Sequence, residues 1–394
     1  MKTSMKLIIG LLLAALSLQS FAQKPESVYS IQRQMHTSIW YKQQAKAWKH
    51  EIDKGTKDKM AWVYWFVAKM NLERYMRDDV GDNMEGNYLI SRYEIMKLAE
   101  KAIPNSFELY FIKAHDEYAK SETIDECIMK AQALRPFDKL ILPWLVNYYQ
   151  YRNDKPNLEL TCKKWFESNE IPQELLITAY NNLISLEPNA ILILNGLNGD
   201  NDKYPTWVLQ NCQKVRPDVL VLHLYSAQSN DKYRENVFKE NGISQMVFKK
   251  RNPNDTIYDP ESDVLNHLIT KVKNRPIYFS TYSDFQSYSD FKDKMYFVGL
   301  SLKYSEEPFD NLAVIRNNVE NKYMLDFLKH SFYNSYAQGV INDMNNRYIP
   351  IFLKLSEHYQ SSGETKKAQE IKELAILIAE TGGRSKYWTH YFAK

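Results

Sequence analysis

Glycine is scarce in this chain, with 12 in 394 residues, and none sit at GxGxxG or GxxxxGK[ST] spacing. A phosphate-cradling loop of the dinucleotide or nucleotide type is therefore excluded. Cysteine is scarcer still. Cys127, Cys162 and Cys212 lie far apart with no CxxC or Cys/His ligand spacing, so no zinc site is expected and at most one disulfide is possible. Cys127 falls on a helical pattern and reads as a buried thiol. His36, His50 and His115 occur singly, without HExxH or His-x-His spacing. His115-Asp116-Glu117 lies within a helical pattern, where adjacent positions diverge around the axis, and reads as solvated surface rather than a metal site. Neither sign of charge dominates: 51 Lys and Arg stand against 48 Asp and Glu, with no basic stretch, so nucleic acid is not an expected partner. Long hydrophobic runs are missing too. Leu7 to Leu18 falls short of the roughly 20 residues a bilayer span requires, and nothing later approaches it.

What the N-terminus does contain is a secretory leader: Lys2 and Lys6, the apolar run Leu7 to Leu18, and Ser20-Phe21-Ala22 as a small-x-small cleavage site. Residues 1–22 are read as the signal peptide and Gln23 as the first mature residue. Gln23 rather than a cysteine stands directly after the cleavage site, so no lipoprotein anchor is expected, and the product is expected to be exported, soluble and periplasmic.

From Val28 to about Leu186, apolar residues recur three and four apart, as in Trp62, Trp65, Phe66 and Met70, or Ile95, Leu98, Ala99 and Ile103. The breaks share one grammar, seen at Ala99 to Pro104, Ala131 to Pro136 and Leu183 to Pro188: a helix closes on a proline and another opens soon after. The step from Pro104 to Pro136 is close to the roughly 34-residue tetratricopeptide period, so residues 23–188 are read as a tetratricopeptide-like array; an irregular bundle is the alternative. The aromatic rings, led by 28 tyrosines, recur at helical spacing, as in Trp62, Trp65 and Phe66, and read mostly as core, with sugar stacking the minor reading.

Around Asn189 the period changes. Ala190 to Leu194, Asp218 to Leu224 and Arg275 to Ser280 read as buried strands, Met246 to Phe248 as a short one, and Met295 to Tyr304 as an edge strand. Helices are expected at Pro205 to Val215, Asp231 to Glu240 and Val264 to Lys273. Strand and helix alternating at this spacing predict a small, mostly parallel, Rossmann-like α/β domain over residues 189–308. Residues 309–394 return to helix. There Leu353, Leu355, Tyr359, Gly363, Ala368 and Ala375 take the positions of one tetratricopeptide-like unit.

The richest local signal follows the first strand. Gly196 and Gly199 fall together among Asn198, Asp200, Asn201 and Asp202, directly after five apolar residues. In an open α/β sheet such a loop, at the carboxyl end of a strand, is where ligands sit. The run Asn195, Asn198-Gly199-Asp200-Asn201-Asp202-Lys203-Tyr204-Pro205 and Trp207 to Gln210, followed by Val215-Arg216-Pro217-Asp218-Val219, resembles the soluble C-terminal region of a bacterial membrane-protein family. That family is related to the eukaryotic transmembrane protein O-mannosyltransferases. Arg275-Pro276-Ile277-Tyr278-Phe279, Gly299-Leu300 and the closing helical unit extend the resemblance across about Asn189 to Glu380. The family's membrane-embedded half, where glycosyl transfer is expected, has no counterpart in this sequence, so that activity is not carried over. Leu197-Asn198 is an insertion before the Gly-Asp-Asn-Asp core, and Lys203 stands where the family tends to have a small hydroxyl residue. The resemblance implies an α/β module working beside an extracytoplasmic glycan or envelope process.

Asp200 and Asp202 either hold a cation or a pair of sugar hydroxyls, or cap a helix opening near Pro205. A DxDxDG calcium loop and its later bidentate Glu are absent. Tyr204 and Trp207 either stack a sugar ring or pack the helix on the sheet. The candidate ligand-binding set is Asn195, Asn198, Asp200, Asn201, Asp202, Tyr204 and Trp207, with no catalytic residue, metal ligand or cofactor expected. His223, with Ser226, Ser229 and Asp231 nearby, invites a hydrolase reading, but no GxSxG elbow accompanies it and a core or edge role is preferred. Asp255-Thr256-Ile257 resembles a short O-glycosylation acceptor. The sequence therefore points to an exported non-catalytic scaffold or binding protein of an envelope or glycan-handling assembly. Its protein partner would be held through the helical array, with a glycan as a further ligand and no membrane span after leader cleavage. The alternative is a hydrolase or glycan-acting transferase using the Asp200/Asp202 loop with His223.

Overall fold

The computed structural model describes residues 25–30, 33–78, 91–116, 119–195, 200–248, 260–281, 291–330 and 337–392. The leader and Asp255-Thr256-Ile257 lie outside the described residues. The chain is mostly helical with one small mixed sheet, in line with the expected combination of α and α/β elements. By contacts it divides into two compact units, residues 1–31 with 36–134, and residues 32–35 with 135–394.

The first unit holds α1 (Ser38–Asp53), α2 (Met60–Asp78), α3 (Arg92–Ala102), α4 (Phe107–Lys113) and α5 (Ser121–Leu134). Side-chain caps fix several of the starts. Thr37 accepts from Trp40 N, Ser106 accepts from Leu109 N, and Ser91 with Glu94 forms a reciprocal capping box on α3. Ala99 and Ala131, from the recurring Ala-to-Pro pattern, are both fully buried, which lets neighbouring helices approach closely. His115 departs from its expected solvated position. Its Nδ1 lies 2.9 Å from the Phe111 carbonyl oxygen and its ring packs against Phe66 and Phe111. Burial pulls its pKa down to about 4.

The second unit begins with α6 (Leu142–Arg152), α7 (Lys155–Glu167) and α8 (Gln173–Ser185). The α/β part follows as β1 (Ile191–Leu194), α9 (Asp200–Gln213), β2 (Leu220–His223), α10 (Leu224–Ser229), α11 (Asp231–Glu240), α12 (Pro260–Lys271), β3 (Ile277–Ser280), β4 (Met295–Phe297) and β5 (Ser301–Tyr304). The strand order is β2-β1-β3-β5-β4. Ile191 pairs in parallel with both Leu220 and Ile277, whereas β3–β5 and β4–β5 are antiparallel. The sheet is thus parallel only across β2-β1-β3, and the expected edge strand at Met295 to Tyr304 is a hairpin. All four residues of β1 are fully buried, as a strand covered on both faces must be. Met246 to Phe248 forms no strand. It is irregular backbone with Val247 almost wholly exposed, since three apolar residues without a neighbouring ladder have no partner for their backbone groups.

The remaining helices are α13 (Asn311–Asn321), α14 (Gln338–Asn345), α15 (Ile349–Ser361), α16 (Thr365–Thr381) and α17 (Ser385–Phe392). α15 and α16 pack as a pair around Phe352, Leu355, Tyr359, Ala368 and Ala375, turning at Gly363 with φ +79°. Polar ties lock α8 onto this region. Asn181 donates to the Met324 carbonyl oxygen and the Tyr348 hydroxyl, both at 2.9 Å, and Ser301 donates to Asn182 Oδ1 at 2.5 Å. All three cysteines are free thiols, and burial pushes the pKa of the Cys162 thiol well up.

Candidate functional site

Asn195 and His223 lie at the carboxyl ends of β1 and β2, the place where open α/β sheets bind ligands, and Asn201 and Asp202 lie in the helix that follows β1. Asn195 follows β1 directly, and its Nδ2 donates to Glu261 Oε2 at 2.8 Å. Glu261 is in the first turn of α12, where a carboxylate is favoured by the helix dipole. Asn198 lies outside the described residues, and Asp200 is described through its backbone alone.

Helix α9 opens at Asp200, five residues before the expected start, so Pro205 lies inside it. Asp202 is consequently a helical residue whose carbonyl oxygen accepts from Thr206 Oγ1 at 2.6 Å, and it does not cap a helix at Pro205. Asp202 three residues before Pro205 suits a helix start in sequence, and proline is favoured in a first turn. Extending the helix one turn earlier instead carries Asn201, Asp202, Lys203 and Tyr204 into the interior, where all four are buried.

Lys203 is 3% exposed, and its Nζ stands 4.4 Å from the centroid of the Tyr204 ring and 5.4 Å from that of Trp207. Two ring faces thereby replace part of the hydration the ammonium loses on burial. Tyr204 turns inward, its hydroxyl accepting from Asn147 Nδ2 at 2.7 Å and its ring packing on Trp165. Trp207 is buried, in edge contact with His223 and tilted contact with Tyr233. Both aromatics of the motif therefore serve to pack α9 against α6, α7 and the sheet.

His223 ends β2, and its backbone N–H donates to the Tyr233 hydroxyl at 3.2 Å. Its Nδ1 lies 2.7 Å from Ser226 Oγ, which in turn lies 2.6 Å from the Tyr151 hydroxyl. Burial, followed by the positive charge of Lys203, holds the His223 pKa well below its ordinary value, so the ring is neutral. Burial likewise drives the Tyr233 phenol upward. The result is a closed network of a cation, three aromatic rings, a neutral imidazole and a hydroxyl pair. His223 is 5% exposed and Ser226 1%.

Sequence reasoning missed Asn147, Tyr151, Tyr233 and Glu261. Asn147 and Tyr151 come from α6, more than forty residues before the motif, and carry no local signal. A groove of about 410 Å³ opens elsewhere, on α12, lined in part by Gln245, Asp263, Asn266, His267 and Lys271; it shares no residue with this network. Among the described residues, no cluster of three or more His, Cys, Asp or Glu side chains could hold a metal. No helix among them is long and apolar enough to cross a membrane.

Residues 176–233 match the family described as TMEM260-associated domain 2. The matched segment runs from α8 through β1, α9 and β2 to the start of α11, and contains the Lys203, Trp207, His223, Ser226 and Tyr233 network. No curated protein and no solved structure matches the chain.

Proposed function

We propose that this chain is an exported binding protein without chemistry of its own, a scaffold or accessory in an envelope or glycan-handling assembly. Its β1-α9-β2 segment is the part similar to proteins related to transmembrane O-mannosyltransferases, and its helices offer the partner surface. One observation carries this reading: the motif turns its functional-looking groups inward. Tyr204, Trp207, Lys203, His223 and Ser226 are spent on one another and on α6, so they stabilise the module rather than meet a substrate.

The test is affinity capture of the tagged full-length protein from envelope extract, in parallel with a folded Asp202→Asn variant. A defined partner held equally by both places the binding surface on the helices, as proposed. Loss of that partner or of a glycan in the variant alone moves the function to the loop. A second reading, a hydrolase, draws on the 2.7 Å approach of Ser226 Oγ to His223 Nδ1. It requires ester or glycoside hydrolysis that disappears in Ser226→Ala.

A further inference from the structure

The last described helix, α17, has no buried residue, although the helices it follows are built around a packed core. Its two faces differ. Trp388 and Phe392, four residues apart, lie partly buried against the cluster of α15 and α16, whereas Tyr387 and Tyr391, also four apart, point outward at 68% and 41% exposure. Rings of this kind, apolar with a polar tip, concentrate where one end must be dry and the other wet.

The charge on this helix is of one sign. Residues 381–392 contain Arg384, Lys386 and His390 but no Asp or Glu. Arg384 is held by Asp343 at 2.9 Å, and Lys386 is exposed. The outward face also lacks Leu, Ile, Val and Met, the residues that a protein-docking face resembling a core would carry. Exposed tyrosines beside a cation, on a helix that itself carries no carboxylate, complement a layer of anionic headgroups.

We propose that α17 is a membrane-surface contact, in which Tyr387 and Tyr391 seat among the headgroups of an anionic phospholipid leaflet and Lys386 pairs with their phosphates. The helix lies on the surface and does not cross it. The contact is shallow and reversible, because two rings and one cation supply far less than a spanning segment.

Flotation of the full-length protein with phosphatidylglycerol–phosphatidylcholine vesicles tests this, against vesicles of phosphatidylcholine alone. The protein should float with the anionic vesicles and be released by high salt. Lys386→Glu should weaken the partition at least about fivefold, and Tyr387→Ser/Tyr391→Ser about tenfold. All three altered side chains are exposed, so circular dichroism should show an unchanged fold. Failure to float, or equal flotation of the double tyrosine variant, overturns the proposal. So does sedimentation as a dimer that the double variant converts to a monomer, since that would give the face to a second copy of the chain.

Discussion

Replacing Gly299 by alanine should be among the most damaging single changes in the second unit. Gly299 joins β4 to β5 at φ +124°, a region L side chains rarely adopt, and a Cβ added there would run into the Tyr323 hydroxyl. That hydroxyl is fixed in place, because it accepts from Leu300 N at 3.1 Å and its ring is part of the α13–α15 core. The backbone conformation costs about 2 kcal/mol for a non-glycine residue, and forcing a methyl into closed packing adds about 2 kcal/mol. Together about 4 kcal/mol should appear as a lower urea midpoint for this unit with an unchanged slope. Tyr323→Phe alone should cost about 1 kcal/mol, by orphaning the Leu300 N–H. In the double variant the hydroxyl is gone, so the total should fall short of the sum by about 1 kcal/mol or more. A Gly299→Ala protein within about 1 kcal/mol of the native one, or strictly additive costs in the double variant, would refute the argument.

Ser226→Ala leaves the Tyr151 hydroxyl and His223 Nδ1 without their shared buried partner and should lower stability by about 2 kcal/mol, read by denaturant unfolding. Neutral His223 gains a proton more readily unfolded than folded, so its contribution is present above the unfolded pKa of about 6.5 and is lost as pH falls below it. Lys203→Met should move the His223 titration upward, yet leave it below that value because burial is the larger cause; a titration in its ordinary position would sink the assignment. Asp218 behaves as a depressed carboxylate, held down chiefly by its hydrogen bonds from Arg216. Its contribution is present above about pH 4 and disappears in more acidic solution. Asp218→Asn should flatten that acid limb, at a cost near neutrality of about 1 kcal/mol or less given the exposure of the carboxylate.

Much of the fold was legible because it rests on local periodicity. β1, β2, β3 and α11 lie within or at the expected segments, since continuous apolar runs and three-to-four spacing are written within a few neighbouring residues. Helix boundaries were less legible. Asn201 and Asp202 look like cap residues, yet both are buried in the first turn of α9. The hairpin at 295–304 was hidden because Gly299 tightens the turn through a left-handed backbone that its neighbours do not advertise.

Composition and period are local properties of the chain, and they are enough to locate the motif beside the first strand of the sheet. What the motif does with its side chains depends on packing between segments far apart in the chain. Lys203 lies over Tyr204 and Trp207, and His223 reaches Ser226 and, through it, Tyr151 of a distant helix. Such contacts join residues up to seventy-five positions apart, and desolvation in a shared core selects them. No spacing rule along the chain records that selection.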